Sequence, residues 1–202
     1  MEVEKLRKTR EDRLHEIQEN AKNLFLEKGF KSTTMEDIVA ATGLSKGGLY
    51  HYYSSTKAIL IDLIDRWNIL YIEDNPALEA FKLTEEPSQD LIVDLIMKAI
   101  IDKVTVQTPE RKIYLMFAYE MMYDNEIREI YLSHEKVFIE NVLERLGIKG
   151  DSVQKQMYLI SYLVNALTFS QNLLPNGEIL LENRTILEDI FRPQLMRLIG
   201  GE

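Results

Sequence analysis

Apolar residues recur at spacings of three and four along nearly the whole chain, and no alternating β-branched run sits between turn-forming clusters. That period lines one face of a helix, whereas a half-buried strand needs period two. The expected fold is therefore all-α. In 9–28, Leu14, Ile17, Ala21, Leu24 and Phe25 form one stripe, and Gly29 supplies a C-terminal stop. Thr33-Thr34-Met35-Glu36 has the form of a capping box, with Thr33 as the cap and Glu36 reaching back, which opens a second helix ending near Gly43. Ser45 caps a third helix to about Tyr53, and Ser54 or Ser55 a long fourth one through Trp67 and Tyr71. Further helices are expected over 88–105, 109–123, 126–146, 152–172 and 184–199, with breaks at Pro87, Pro109, Gly147, Gly150, Pro175 and Gly177 and a kink at Pro193. The count is about nine helices.

Several function classes are disfavoured by what 202 residues contain. There is no cysteine, so no disulfide framework and no thiolate zinc site. The three histidines are far apart, and neither a P-loop nor a nucleophile elbow occurs. A helical di-iron site needs paired Glu-x-x-His motifs, and the nearest approach is a single Asp12-Arg13-Leu14-His15. No enzyme activity, cofactor or metal is expected. The opening stretch is too charged for a secretory signal, and apolar runs such as "AILIDLI" are interrupted by acids, so a soluble cytoplasmic protein without a membrane partner is expected.

The net charge of -9 argues at first against a nucleic-acid partner. Its distribution reverses the argument. Residues 1–60 carry ten Lys/Arg against nine Asp/Glu, and the remainder fourteen against twenty-four. Between Ile38 and Ile61 no acid occurs, where an even spread would place about four.

Inside this window lies "LSKGGLYHYYSS", residues 44–55. Two short helices joined by the glycine-containing turn "ATGLS" have the helix-turn-helix pattern, at about 33–53. Ile38, Val39, Leu44, Leu49 and Tyr53 can all point inward, leaving Lys46, Gly47, Tyr50 and His51 outward. Glycine inside a helix costs roughly 1 kcal/mol relative to alanine. Gly47 and Gly48 would repay that by letting the main chain approach a sugar-phosphate strand, beside amides capped by Ser45. Lys46 would reach a phosphate or a guanine edge, and Tyr50, His51 and Tyr52 phosphates or thymine methyl groups. Taken alone, the same residues also suit a plain turn followed by core tyrosines.

The neighbouring residues extend the pattern: Ala21, Leu24-Phe25, Gly29-Phe30, Thr33-Thr34, Asp37-Ile38, Ala41, Gly43 to Gly47, Leu49-Tyr50, Tyr52-Tyr53, Lys57 and Leu60. From Ile17 through Leu60 the chain resembles the TetR (tetracycline-repressor-like) family of transcriptional regulators. The resemblance implies that Thr34 contacts backbone phosphate with Met35 facing DNA, and that Lys46, Gly47, Gly48, Tyr50, His51 and Tyr52 form the recognition surface. Two departures stand out. Val39 replaces the small residue usual after isoleucine, and the family's lysine falls on Lys57, one place late, with Thr56 before it. The basic residues Lys5, Arg7, Lys8 and Arg10 would be solvated or reach the adjacent groove.

Residues 1–57 are thus expected to form a three-helix DNA-binding domain, and 58–202 a larger helical domain for ligand binding and dimerisation. "IYLMFAYEMMY", 113–123, is apolar all round except at Glu120, as for a helix buried on every side. Four of the eight methionines lie between Met97 and Met122, beside Phe117 and three tyrosines. Such walls suit a cavity for an apolar ligand, or an ordinary core. The resemblance implies a small-molecule cavity in this region; its candidate residues are Trp67, Tyr71, Met97, Phe117, Glu120 and Met121. A buried Glu120 would pair with a cationic ligand or with Arg111 or Lys112, and a surface position would equally explain it. Val153, Met157, Ile160, Val164 and Leu167, with Leu187, Ile190, Phe191, Leu195 and Leu198, are candidates for a dimer interface, while Tyr158, Tyr162 and Phe169 need cover on another face. The resemblance implies a homodimer through a four-helix bundle, a double-stranded DNA operator with inverted half-sites, and repression relieved by a small-molecule effector. The alternative is a helical protein-interaction adaptor that binds no DNA.

Overall fold

The structure is a computed structural model that describes residues 9–73, 88–145, 147, 150–174 and 178–200, without the side chains of 68–73 and of Arg145. Ten helices and no strand occur among the described residues. They are α1 (Arg10–Lys28), α2 (Met35–Thr42), α3 (Lys46–Tyr50), α4 (Thr56–Glu73), α5 (Gln89–Thr105), α6 (Pro109–Glu120), α7 (Asn125–Arg145), α8 (Asp151–Leu173), α9 (Glu178–Glu182) and α10 (Arg184–Gly200). The helix beyond the expected count is the five-residue α9. α10 continues through Pro193. Pro76, Pro87, Pro175, Gly177 and the basic residues Lys5, Arg7 and Lys8 lie outside the described residues. No described helix is long and apolar enough to cross a membrane.

The packing divides the chain into two compact units, one holding residues up to Trp67 together with Pro109–Ile127, the other Asn68–Thr108 and the residues from Arg128 onward. In the first, α1 is closed at both ends. Thr9 accepts from the Asp12 amide while Asp12 reaches back, and Gly29 ends the helix at φ 84°. α2 and α3 have only eight and five residues, lengths that do not hold in water alone. Caps and burial stabilise them. The capping residue of α2 is Thr34, not Thr33, and its partner is Asp37, not Glu36. Thr33 is buried and donates instead to the Gly29 carbonyl at 2.9 Å. Ser45 caps α3 by accepting from the Gly48 amide.

Ile17, Ala21 and Phe25 of α1, Ile38 of α2, Leu49 of α3, Ile59, Leu60, Leu63 and Ile64 of α4, and Ile113 and Phe117 of α6 are buried in this unit. Full burial of one such side chain contributes about 1.5–3 kcal/mol. A polar network crosses the same interior: Gln18 Nε2 donates to Tyr53 Oη at 3.2 Å and to Asp62 Oδ2 at 2.8 Å, Tyr53 donates to Asp62, and Arg66 donates to Gln18 Oε1 at 3.0 Å. Burial first, then the bond to Asp62, pushes the Tyr53 phenol upward. The turn after α3 is thereby fixed to α1 and α4. α6 packs on α1. It is not buried all round: it ends at Glu120, and Tyr119, Met122 and Tyr123 are 53%, 61% and 65% exposed.

The second unit is built on α5, which packs against α8 and α10. Its core joins Val93, Met97 and Val104 of α5 to Ile139 and Leu143 of α7 and to residues of α8 and α10. This corrects the dimer face read from the sequence. Met157, Ile160, Val164, Leu187, Phe191 and Leu195 are buried in that core, and Val153 and Leu167 pack against it. An apolar stripe satisfies its own protomer first. The exposed apolar residues lie on other faces: Leu159, Tyr162 and Leu163 on α8, and Ile186 and Ile190 on α10.

The α2 cap generates a pH prediction. Hydrogen bonds from Lys28, then from Thr34, hold the Asp37 carboxyl well below its ordinary range. Its folded value lies below the unfolded one of about 3.9, so its contribution is fully present above about pH 4 and is lost as pH falls toward the folded value. Asp37→Asn should lower the urea midpoint at pH 7, and the gap from the parent should close progressively below about pH 4. A gap independent of pH would contradict the assignment.

Candidate nucleic-acid interface

Leu49 is the one buried residue of α3, and its burial turns the rest of this helix outward. Ser45, Lys46, Gly47, Tyr50 and His51 are exposed, and Gly48 and Tyr52 half-buried. The His51 and Tyr52 rings meet edge to face at 5.4 Å, and the Lys46 ammonium lies 5.9 Å from the Tyr50 ring centroid. At the start of α2, Thr34 is exposed but its hydroxyl is bonded to Asp37.

The two glycines differ in what they do. A Cβ built on Gly48 would come within 3.1 Å of Ser45 Oγ, the atom that caps the helix, so a side chain there would press on the cap by a few tenths of an ångström. A Cβ on Gly47 would meet nothing within 4 Å. Neither its backbone nor its surroundings demand glycine there.

Met35, expected to face DNA, is only 7% exposed. As the first residue of α2 it turns its side chain into the protein, so the outward surface at this end belongs to Thr34 and Glu36. Lys57 is committed within the first unit: its ammonium lies 3.0 Å from Asp124 Oδ2 and 2.6 Å from Glu126 Oε2. These two carboxylates, Glu126 first, push the Lys57 ammonium upward. Asp124 Oδ1 meanwhile accepts from the Glu126 and Ile127 amides, so one residue opens α7 and holds Lys57. Lys46 is paired likewise with Glu36 at 2.8 Å, which lowers the Glu36 carboxyl and raises the Lys46 ammonium.

The remaining candidate residues are divided between the two units. Phe117 and Glu120 are buried in the first unit, where Trp67 is half-buried and Met121 partly exposed; Met97 is in the core of the second. The Tyr71 side chain lies outside the described residues. Glu120 has a partner that the sequence reading missed: Lys31, in the turn after α1, at 2.5 Å. No pattern of local spacing could reveal a pair 89 positions apart.

Residues 17–63 match the family model described as "Bacterial regulatory proteins, tetR family". Over 56 residues, 28% of this chain and 27% of the relative, the chain is 45% identical to the uncharacterized HTH-type transcriptional regulator YfiR of Bacillus subtilis. Over 140 residues, 67% of this chain and 65% of the relative, it is 25% identical to the HTH-type transcriptional repressor AcnR of Corynebacterium efficiens. The chain therefore spans about a quarter of the first relative's length and just under two thirds of the second's. Among solved structures, GusR of Salmonella enterica has the same fold, with a TM-score of 0.67 and 21% identity over 93% of this chain and 95% of that one.

Glu36 puts a negative charge beside the exposed cation of α3, and phosphate would have to displace it. Glu36→Gln should tighten binding to duplex DNA roughly threefold to tenfold at low salt, and steepen its loss with rising salt. Fluorescence anisotropy at two salt concentrations reads both; weaker or unchanged binding would contradict this.

Proposed function

We propose that this chain, which carries in residues 17–63 the helix-turn-helix domain of the bacterial tetR family of regulatory proteins, is a transcriptional repressor that binds a palindromic operator as a homodimer and is released by a small-molecule effector. One observation carries the reading above all: the outward face of α3 presents Lys46, Tyr50 and His51 around a glycine, Gly47, that nothing inside the protein requires. Bare backbone there suits close approach to a duplex. The absence of acids from Ile38 to Ile61 supports the same partner.

Residues 1–57 would make the DNA contacts, through Thr34, Ser45, Lys46, Gly47, Gly48, Tyr50, His51 and Tyr52, with Lys57 exchanging its carboxylates for phosphate. Residues 58–202 would receive the effector and pair with a second copy. Leu159, Tyr162 and Leu163 recur at helical spacing on α8, and Ile186 and Ile190 on α10, so these exposed residues are the better candidates for the two-fold contact. The segment 109–127 would link effector to head. Lys22 lies 3.5 Å from Glu110, Lys31 2.5 Å from Glu120, and Lys57 pairs with Asp124 and Glu126, so the segment is joined to the head by three lysines. A shift in their geometry worth about 1.4 kcal/mol would change operator occupancy tenfold.

The test is the double variant Lys46→Ala/Tyr50→Ala, scored for operator binding and, by analytical ultracentrifugation, for self-association. Both side chains are exposed, so the fold and the dimer should persist while affinity falls at least about tenfold. Undiminished affinity would remove the assigned recognition face.

A further inference from the structure

In the second unit, two pairs of polar side chains span the gap between α7 and α8. Ser161 Oγ donates to Glu135 Oε1 at 2.8 Å, and Asn165 Nδ2 donates to Tyr131 Oη at 3.2 Å. The four residues sit at i, i+4 spacing on their helices, so the pairs lie one turn apart. One turn further on the core becomes apolar, with Ile139 and Leu143 joined to Met157 and Ile160. Glu135 is 7% exposed, and its Oε2 is buried with no hydrogen-bond partner among the described residues. A carboxylate removed from water requires a positive partner or several donors, and Glu135 has one hydroxyl. Three cations of this unit pair with other acids: Lys136 with Glu140, Arg184 with Glu188, Arg192 with Asp94.

We propose that Glu135 is the counter-charge of a binding site, between α7 and α8, for a protonated amine carried on an apolar stem. Oε2 offers an acceptor to an N–H donor, and the Tyr131 hydroxyl and Asn165 amide lie one turn away. Phe138 and Tyr158, partly buried against the core beside Glu135 and Ser161, supply aromatic faces that suit both the stem and the cation. Burial first, then the charges of Glu140 and Glu135, pushes the Tyr158 phenol upward, which places that ring in the field of the same carboxylate. A divalent metal ion does not fit, because no group of three or more His, Asp or Glu residues that could hold one occurs among the described residues. Identifying this amine with the effector rests on the reading of residues 58–202 as the effector-binding part; the site itself does not.

The full chain is melted with n-hexylammonium and with 1-hexanol, a neutral probe of the same length, and the two are repeated on Glu135→Gln. Hexylammonium should raise the parent's melting midpoint in proportion to the logarithm of its concentration, with 1-hexanol giving no comparable rise and Glu135→Gln losing the response. Without ligand, Glu135→Gln should melt higher than the parent, because the amide keeps the bond from Ser161 and carries no charge. An equal response to both probes, a hexylammonium response that survives in Glu135→Gln, or no hexylammonium response in the parent would overturn the site. The parent comparison decides even if the variant fails to fold. Operator release is scored separately: binding without release leaves the site standing and removes its effector role, whereas absent binding removes the site and leaves operator recognition untouched.

Discussion

The geometry of the head depends on the burial of Leu49. A five-residue helix has no independent stability, and α3 holds its place through this side chain, the Ser45 cap, and the hydrogen bonds that fasten Tyr53 to Gln18 and Asp62. With Leu49 pointing in, Lys46, Gly47 and Tyr50 are left exposed, Gly47 most nearly opposite the buried side chain. The acid-free window adds no carboxylate of its own to that face; the one that stands beside it, Glu36, lies just before the window.

Charge pairing supplies a second level of organisation. Each of the five lysines between residues 9 and 60 already has a carboxylate: Lys22 with Glu19, Lys28 with Asp37, Lys31 with Glu120, Lys46 with Glu36, and Lys57 with Asp124 and Glu126. Exposed pairs of this kind add little stability. Their effect on recognition is larger, since a phosphate must compete with a resident acid before a lysine contributes. On this account DNA is selected by fit to the backbone around Gly47 more than by gross charge, consistent with an overall charge of -9.

Local features were the most legible in the sequence. The apolar stripe of α1, its Gly29 stop and the Ser45 cap depend on residues within one or two turns of each other. Thr34 was misread as Thr33 because two threonines face two acids there, and both registers satisfy the capping pattern; burial of Thr33 against the Gly29 carbonyl decides between them. The placement of Met35 toward DNA came from the resemblance and not from spacing, and its burial in the protein leaves that surface to Thr34 and Glu36. The partners of Lys57 and Glu120 are distant in sequence, and periodicity carries no information about them. The stripe of Met157, Ile160 and Val164 was correctly seen as one apolar face. What spacing alone could not decide was whether a protomer or its partner covers it, and here the protomer does.

Gly47→Ala tests the central claim most directly, with thermal melting and operator binding measured on the same protein. Alanine has space at this position and is the better helix former by up to about 1 kcal/mol, so the account predicts an unchanged or higher melting midpoint together with weakened binding. Operator affinity equal to that of the parent would contradict it, because the bare backbone of α3 would then have no part in meeting DNA.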